Sequence, residues 1–361
     1  MNHAELENRF LAQEEFLGRD KPVNRIQPVV SVSVTTYQHA AFIHQCLDGI
    51  LMQKTSFPFE LIIGEDESTD GTREICIEYA EKHPDRIRLF LRSRALSVYV
   101  EDGATRRLNG AWCRRSARGT YIAMCEGDDY WTSPDKLQKQ IDFLESHPEC
   151  SMSFHNVLIV SEEPSEAPRP AYSYDMRPFY HLIDLFPRNF IHTPSVVFRR
   201  DALPQPRPDW CRLMPMGDWP TYLLLAQNGR LAYLPDVMSA YRRHSGGIWS
   251  QMSRSQWLDK STFAAETVLR EFVCRLPKMA GAAAMLRRDV LGMYLEQRDY
   301  RAASVHARKL LGYTSRRYLS EIRSLSCRYL ADMGSLLSTI WRAYWPRRRL
   351  PVGQAKSRDS F

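Results

Sequence analysis

The sequence predicts an α/β protein with a mostly parallel sheet, helices on both faces and an all-helical C-terminal extension. Short β-branched segments alternate with helical segments from residue 28 to residue 160, and the apolar spacing is helical from residue 251 onward. Such alternation favours parallel strands joined by right-handed crossovers. The expected domains are a leader at 1–27, a sheet domain at 28–250, a helical extension at 251–338 and a basic aromatic tail at 339–361.

The first elements follow from apolar spacing and capping residues. Strands are short and β-branched or aromatic, whereas helices repeat apolar residues every three or four positions. Ser and Thr before a helical segment indicate its N-terminus. In order, the elements are the strand 28–36, the helix 43–51, the strand 59–64, a helix opened by residues 68–71 and the strand 87–91.

The later elements are less regular. Ser133 as N-cap and Pro134 at the first helical position predict where one helix begins. Four prolines between residues 161 and 178 interrupt the alternation of strands and helices, which indicates a loop. The predicted elements are a helix at 104–117, the strand 121–125, a helix from 134, the strand 150–160, a helix begun by 217–220 and ended by Gly229, and short strands at 231–234 and 237–242.

Composition indicates a soluble protein of the reducing cytosol. Eight cysteines are scattered without a CxxC pair, as expected for buried thiols. The polar, acidic N-terminus matches neither a signal nor a transit peptide, and no uncharged apolar run reaches the roughly 18 residues of a membrane span. Residues 251 to 361 contain 21 Lys and Arg against nine Asp and Glu, so attraction to an anionic surface is expected there.

An apolar strand at residues 121–125 runs directly into three carboxylates, Glu126, Asp128 and Asp129. Unpaired acids at one sheet edge repel one another and favour a compensating cation. A hard divalent metal takes oxygen ligands and also binds phosphate. The alternative is a solvated acidic turn between a strand and a helix.

With these segments in order, residues 28 to 250 resemble a family 2 glycosyltransferase of the bacterial cell-surface glycan type. That family consists of inverting enzymes with the GT-A fold, a Rossmann-like αβα sandwich. The matching segments are VSVSVTTYQHAAFIHQCLDGILMQ, ELIIGEDESTDGT, CEGDDYWTSPDKLQKQIDFLE, and GDWPTYLLLAQNG followed by YRRHSGG. Residues 251 to 361 lie outside the resemblance.

The resemblance implies a metal site in the acidic segment. Glu126-Gly-Asp128 resembles the family's Asp-x-Asp element, with Glu in the first position. Asp128 would then coordinate Mg²⁺ or Mn²⁺ bridging the donor diphosphate, with His244 close to the diphosphate or metal, and Glu126 would lie near the ribose or sugar. Asp129 would either reach the donor sugar or hold the start of the next helix.

Nucleotide binding is expected at the ends of the first two strands. The resemblance places the backbone at Thr36 against the base together with Tyr37, and Asp66 would accept a hydrogen bond from uracil. Glu65 stands where the family usually has Asp, which leaves its contact open. Arg242 suits diphosphate oxygens. The alternative for this last segment is a basic, solvated strand end.

Asp218 is the expected general base. It lies at the amino end of a helix, where the helix dipole should keep its carboxylate ionised. The alternative is an ordinary helix N-cap. Arginines at 106, 107, 114, 115 and 118 have only Trp112 interleaved among them, so no nucleic-acid partner is expected. They are interpreted as a solvated helix face that could lend one Arg to phosphate.

The expected reaction moves a hexose or N-acetylhexosamine from a nucleotide diphosphate donor, UDP above others, to a hydroxyl of a glycan or lipid-linked saccharide. The alternatives are a non-catalytic sugar-nucleotide-binding scaffold at the membrane and a sugar-nucleotide pyrophosphorylase. The tail at 339–361 combines aromatics with three consecutive Arg, a composition typical of a segment that lies on the inner face of an anionic cell membrane. The alternative is a disordered basic tail. The expected location is cytoplasmic, and the first interpretation of the tail adds peripheral attachment to the membrane.

Overall fold

The computed structural model describes residues 3–311 except 19, 102–103, 164, 174–175, 187, 248–249 and 274–279. The chain divides into two compact units, Met1–Ser253 and Arg254–Phe361. The predicted tail at 339–361 and the part of the predicted extension beyond Leu311 lie outside the described residues.

The strands fall in the first unit, and most lie where the apolar segments predict them. They are Val30–Thr36 (β1), Phe59–Glu65 (β2), Ile87–Leu91 (β3), Val98–Glu101 (β4), Ala104–Arg107 (β5), Tyr121–Glu126 (β6), Tyr130–Trp131 (β7), Cys150–Ser161 (β8), Arg169–Pro170 (β9), Phe179–Tyr180 (β10), Val197–Arg199 (β11) and Arg230–Arg243 (β12).

The helices of the first unit alternate with these strands, and those of the second unit follow one another. They are His3–Leu11 (α1), Ile43–Leu51 (α2), Thr72–Lys82 (α3), Arg94–Ser97 (α4), Asn109–Arg115 (α5), Lys136–Ser146 (α6), Asp209–Leu213 (α7), Asp218–Asn228 (α8), Arg254–Val268 (α9), Ala280–Glu296 (α10) and Tyr300–Leu311 (α11).

The main sheet has the order β10-β12-β8-β11-β6-β1-β2-β3, with β7 paired to β12 and β9 paired to β8. The pairs β1–β2, β1–β6, β2–β3 and β8–β12 are parallel, whereas β11 is antiparallel to both β6 and β8. This mixed sheet with flanking helices confirms the predicted α/β class. Because β11 is antiparallel to both of its neighbours, the strands β6, β8 and β12 all run the same way.

Three predicted boundaries are wrong. Residues 104–107 form the second strand of a β-hairpin, so the helix predicted at 104–117 begins only at Asn109. Helix α6 begins at Lys136, two residues after Pro134, and Ser133 makes no cap contact with it beyond a long bond of 3.4 Å from the Asp135 N–H. The two short strands around residues 235 and 236 are one strand, β12, with register shifts there.

Helices cover both faces of the sheet. Helices α2, α3 and α6 contribute Leu47, Ala80 and Leu144 to one core with the buried side chains of β1 and β2. On the opposite face, the Cys113 thiol of α5 lies 3.6 Å from the Val34 carbonyl oxygen. The cysteines at 46, 76, 113, 125, 150 and 211 are all buried and unpaired. Successive side chains of β1 point to opposite faces of the sheet, and both faces of this strand are buried.

The second unit contains helices α9, α10 and α11, with a π-helical segment, Leu269–Val273, continuing α9. Arg254 and Glu296 form a bidentate ion pair with distances of 2.6 and 2.8 Å. Within the described residues, no helix is both long enough and apolar enough to cross a membrane.

A buried carboxylate, Glu60 of β2, ties the first unit together. It accepts hydrogen bonds from the Ser31 hydroxyl at 2.6 Å and the Arg118 side chain at 2.9 Å, and Arg88 lies 3.5 Å away. Arg118 continues to the carbonyls of Val23 and Asn24, which precede β1. The sequence interpretation of Arg118 as part of a solvated helix face is therefore wrong.

Replacing Glu60 should destabilise the protein, because Glu60→Ala leaves two guanidinium groups without their buried partner. We expect the free energy of unfolding to fall by about 3 kcal/mol. Chemical denaturation monitored by circular dichroism measures this change. Glu74→Ala, on the exposed side of α3, is the matched control and should change stability by less than about 0.5 kcal/mol. Equal stabilities of the two variants would contradict the role of Glu60.

Candidate active site

The candidate active site lies where the parallel strands β1, β2, β6 and β12 end. Because these strands run the same way, their carboxyl ends meet at one edge of the sheet, which is where open α/β sheets bind ligands. The strands deliver Thr36, Glu65, Glu126 and Arg243 as their last residues. The turn after β6 adds Asp128 and Asp129.

Asp128 is held by two histidines. The His244 Nε2–H donates to the Asp128 Oδ2 atom at 3.0 Å, and the His39 Nε2 atom lies 3.8 Å from the same oxygen. Burial by itself raises the pKa of Asp128, but the His244 hydrogen bond and the charge on His39 outweigh burial and keep the pKa below its usual value. Asp128 is therefore ionised at neutral pH.

Gly127 permits this arrangement because its neighbours approach its backbone closely. A Cβ atom at Gly127 would lie 2.6 Å from the Thr36 hydroxyl and 2.8 Å from the His39 ring. The Gly127 N–H donates to the Thr35 carbonyl at 2.9 Å, which anchors the acidic turn to the end of β1. The glycine between the acids thus serves close packing.

Asp129 is buried and fixes the end of β12. Its Oδ1 atom accepts the Arg242 backbone N–H at 2.9 Å, while the Arg242 Nε–H donates to the Asp128 carbonyl at 2.9 Å. The Arg242 guanidinium lies over the rings of Phe42 and Tyr130, at 4.8 and 5.1 Å from their centroids. Asp129 therefore holds β12, and its predicted contact with the start of α6 is wrong.

Glu126 is close enough to Asp128 and Asp218 for both charges to act on it. Water reaches its side chain, yet the surrounding protein desolvates the carboxylate and, together with the charges of Asp128 and Asp218, raises the pKa of Glu126 to about 8. Burial and the charges of all four acids also raise the pKa of Tyr241. The acidic turn and Asp218 consequently face one cleft.

Asp218 begins helix α8 with both carboxylate oxygens engaged. The Asn189 amide donates to Oδ2 at 2.7 Å, and the Trp219 backbone N–H donates to Oδ1 at 2.7 Å. Burial nevertheless raises the pKa of Asp218 above its ordinary value. Desolvation therefore outweighs the hydrogen bonds that favour the ionised form.

Tyr37 and Asp66 are joined by an arginine. The Arg94 guanidinium lies 4.0 Å from the Tyr37 ring centroid and donates to the Asp66 Oδ2 atom at 3.0 Å. The Ser97 hydroxyl donates to the other oxygen of Asp66. Tyr37 is 40% exposed, so one face of this cluster is open to a planar ligand.

Glu65 and Thr36 have protein partners. Glu65 is fully buried, accepts the Ser68 backbone N–H at 2.7 Å and pairs with the Arg73 Nε–H at 2.5 Å. Thr36 is buried, with its hydroxyl 3.3 Å from the His39 Nδ1 atom. Both residues shape the turns around the cleft.

The residues present can accommodate a divalent cation. The Asp128 Oδ2 and His244 Nε2 atoms lie 3.0 Å apart, a spacing suited to two neighbouring ligands of one ion. Across the described residues, no group of three or more His, Cys, Asp or Glu side chains forms a complete protein cage. Mg²⁺ usually takes one or two protein carboxylates and completes its shell with water and substrate phosphates.

Sequence reasoning missed several residues of the cleft. Arg94 follows β3, so the rule that parallel strand ends meet could have found it. His39 carries no such signal beyond its position after β1. Asn189 lies in an irregular segment, and nothing in the sequence indicates that it contacts Asp218.

Comparisons with known proteins identify a related family and related sequences. A model of glycosyl transferase family 2 matches residues 31–205. An uncharacterised protein of Mycobacterium tuberculosis is 39% identical over 238 residues, which span 65% of this chain and 62% of that protein. The putative teichuronic acid biosynthesis glycosyltransferase TuaG of Bacillus subtilis is 33% identical over 138 residues, spanning 38% of this chain and 50% of TuaG. The aligned region thus covers less than two thirds of these relatives.

Among solved structures, the S. aureus protein TarS, residues 1–349, in complex with UDP-GlcNAc has a similar fold. Its TM-score is 0.53 at 15% sequence identity, covering 80% of this chain and 82% of that one. At this identity the likeness concerns the fold alone, and it confirms the predicted GT-A architecture.

The Asn189 hydrogen bond can be tested by titration. Because Asn189 donates to the ionised form of Asp218, Asn189→Ala should raise the pKa of Asp218 further. A ¹³C NMR titration of the Asp218 carboxyl carbon measures the shift. Asn228→Ala, at the other end of α8, removes a bond to the Ala202 carbonyl and should leave the titration unchanged. A downward shift in Asn189→Ala would contradict the assignment.

Proposed function

We propose that this chain, whose residues 31–205 match a model of glycosyl transferase family 2, transfers a sugar from a nucleotide diphosphate donor to a hydroxyl of a glycan or lipid-linked saccharide, with inversion at the anomeric carbon. The observation that carries the proposal is that the carboxyl end of β6 presents Glu126 and Asp128, the latter hydrogen-bonded to His244, with the charge of Asp218 near enough to raise the pKa of Glu126. One cleft therefore offers one carboxylate, Asp128, to bind a cation and a second, Asp218, to accept a proton.

The donor base would lie against Tyr37 in this proposal. Asp66 presents a buried carboxylate that can accept an N–H of uracil, and Arg94 orients both groups. UDP is therefore the proposed nucleotide, and a hexose or N-acetylhexosamine is the proposed sugar. Glu126, which water reaches at the centre of the cleft, would accept hydrogen bonds from the ribose or the sugar.

The diphosphate would lie beside Asp128, Arg242 and His244. Mg²⁺ or Mn²⁺ held by Asp128 and His244 would supply Lewis-acid stabilisation of the leaving diphosphate. Arg242 keeps its backbone and Nε engaged with the acidic turn and directs one Nη toward the Gln45 side chain at 2.7 Å. These bonds hold the charge of Arg242 at the cleft, and no carboxylate in the described part of the chain lies at hydrogen-bonding distance from its guanidinium.

Asp218 would remove the acceptor proton as the hydroxyl attacks the anomeric carbon. The raised pKa of Asp218 makes it a stronger base than an exposed aspartate. Asn189 and the Trp219 N–H leave one lone pair on each oxygen for the incoming hydroxyl. Displacement from the face opposite the diphosphate inverts the anomeric centre in a single step.

The relatives favour a glycan acceptor at the cell surface, since TuaG carries a name from teichuronic acid biosynthesis. Attachment of the basic tail to the inner face of the membrane would bring the protein to a lipid-linked acceptor, and this too is a proposal.

Replacing Asp218 should stop turnover without affecting donor binding. We expect Asp218→Asn to lower the turnover rate by a factor of about 10²–10⁴, because a positioned base contributes that much. UDP release from a panel of UDP-sugars measures turnover, and calorimetry measures UDP binding. Asp201→Asn, an exposed aspartate after β11, should behave as the wild type. The activity of the wild type should also fall as the pH drops through the raised pKa of Asp218, because protonation removes the base. Near-normal turnover in Asp218→Asn would contradict the base assignment.

The cation site can be tested by thermal stability. UDP with Mn²⁺ should raise the melting temperature of the wild type more than UDP with a chelator, because a ligand that binds the folded state stabilises it. Asp128→Asn and His244→Ala should lose the metal-dependent part of that rise. His44→Ala, an exposed histidine of α2, should keep it. The same metal-dependent rise in all four proteins would contradict the proposed ligands.

A further inference from the structure

A cavity of about 420 Å³ lies between helix α5 and residues 200–206. Its charged lining consists of Arg114, Arg115, Arg200 and Glu7. Glu7 and Arg115 neutralise each other through two hydrogen bonds of 2.5 and 2.7 Å. The charge that remains in the lining is positive and comes from Arg114 and Arg200. We refer to this space as the arginine cavity.

Among the described residues, Arg114 is a buried cation whose guanidinium makes no protein hydrogen bond. It is 8% exposed, its Nε is shut off from solvent, and within the described residues no hydrogen bond from its guanidinium is recorded. Burial lowers its pKa to about 10, so the group stays charged at neutral pH. A buried guanidinium without hydrogen-bond acceptors is costly even though the charge of Asp218 acts on it. A ligand that supplies acceptors would remove this cost.

A second guanidinium adjoins the first. The Arg207 Nη2–H donates to the Thr221 hydroxyl at 3.0 Å, and that hydroxyl donates to the Gly217 carbonyl at 2.6 Å. A Cβ atom at Gly217 would lie 3.9 Å from the Arg114 Nη2 atom, so the two arginines flank the same residue. The Arg207 Nε is also buried without a partner. The two cations repel each other, and the charge of Asp218 opposes this effect on Arg114.

The position of Arg114 connects the arginine cavity with the cleft. Gly217 directly precedes Asp218, and the charge of Arg114 lowers the pKa of Asp218 and of Glu126 against the raising effect of burial. A ligand group on Arg114 would therefore sit beside the proposed general base. Asp128, Arg242 and His244, which would hold the diphosphate, do not line this cavity.

We propose that Arg114, supported by Arg200 and Arg207, binds an oxyanion of the acceptor saccharide, so that the enzyme takes acceptors bearing a phosphate or a carboxylate. The planar guanidinium fork matches both groups and forms paired, charge-assisted hydrogen bonds with them. This inference rests on the proposed function, because it names the acceptor class for the reaction at Asp218.

Binding of small saccharides to the full chain tests the inference. Methyl β-D-glucuronide and glucose 6-phosphate are the acidic probes, methyl β-D-glucoside is the neutral probe, and UDP reports on the donor site. Wild type, Arg114→Gln, Arg200→Gln and the exposed control Arg25→Gln are titrated by ligand-observed NMR at one fixed ionic strength. Arg114→Lys is added because it keeps the charge and loses the fork.

We expect the wild type and Arg25→Gln to bind at least one acidic probe about tenfold more tightly than the neutral probe, as charge-assisted bonds allow. Arg114→Gln should abolish this preference, with Arg200→Gln and Arg114→Lys reducing it, while UDP binding stays unchanged in all variants.

Other results would overturn the inference. If a wild type that binds UDP binds the acidic and neutral probes equally, the proposal of an acidic acceptor is wrong and the proposed function still stands. A tenfold loss of UDP binding in Arg114→Gln would assign the oxyanion to the donor diphosphate instead. If a preference exists and neither Arg114→Lys nor Arg200→Gln reduces it, the arginine cavity is not its source. A wild type that binds no UDP would contradict this inference together with the proposed function.

Discussion

The contact between the acidic turn and the end of β12 is the constraint on which the candidate site depends. Asp129 accepts the Arg242 backbone N–H, Arg242 donates back to the Asp128 carbonyl, and His244 donates to the Asp128 carboxylate. More than 110 residues separate the two segments. Because the bonds engage backbone and side chain together, the acids cannot move independently of β12.

The carboxyl groups gathered at this sheet edge have different pKa values. Asp128, with two histidines beside it, keeps a lowered pKa, whereas burial and neighbouring charge raise the pKa of Glu126 to about 8. Asp218 lies farther along the cleft and its pKa is also raised, chiefly by burial. Similar side chains therefore suit different tasks, since a cation ligand must stay ionised and a base benefits from higher proton affinity.

Arginines are distributed along the cleft according to their partners. Arg94 pairs with Asp66 and stacks on Tyr37 at one end, and Arg242 is held by the acidic turn. Arg114 belongs to the cluster that the sequence suggested as a solvated helix face, yet it is buried and, among the described residues, hydrogen-bonds to no carboxylate. Arg114 and Arg115 are neighbours in sequence but differ in environment, because successive residues of the seven-residue helix α5 point in different directions.

The sequence by itself determined the local order of the fold. Strands and helices followed from apolar spacing within short stretches of chain, and the acids after β2 and β6 were placed at one edge because parallel strand ends meet. What only the tertiary structure decided is which distant groups surround those acids: β12 behind Asp129, Asn189 on Asp218, and Arg94 on Asp66. It also decided the sign of the Asp218 pKa shift, since a helix dipole is local in sequence whereas desolvation arises from segments that the chain brings together only when it folds.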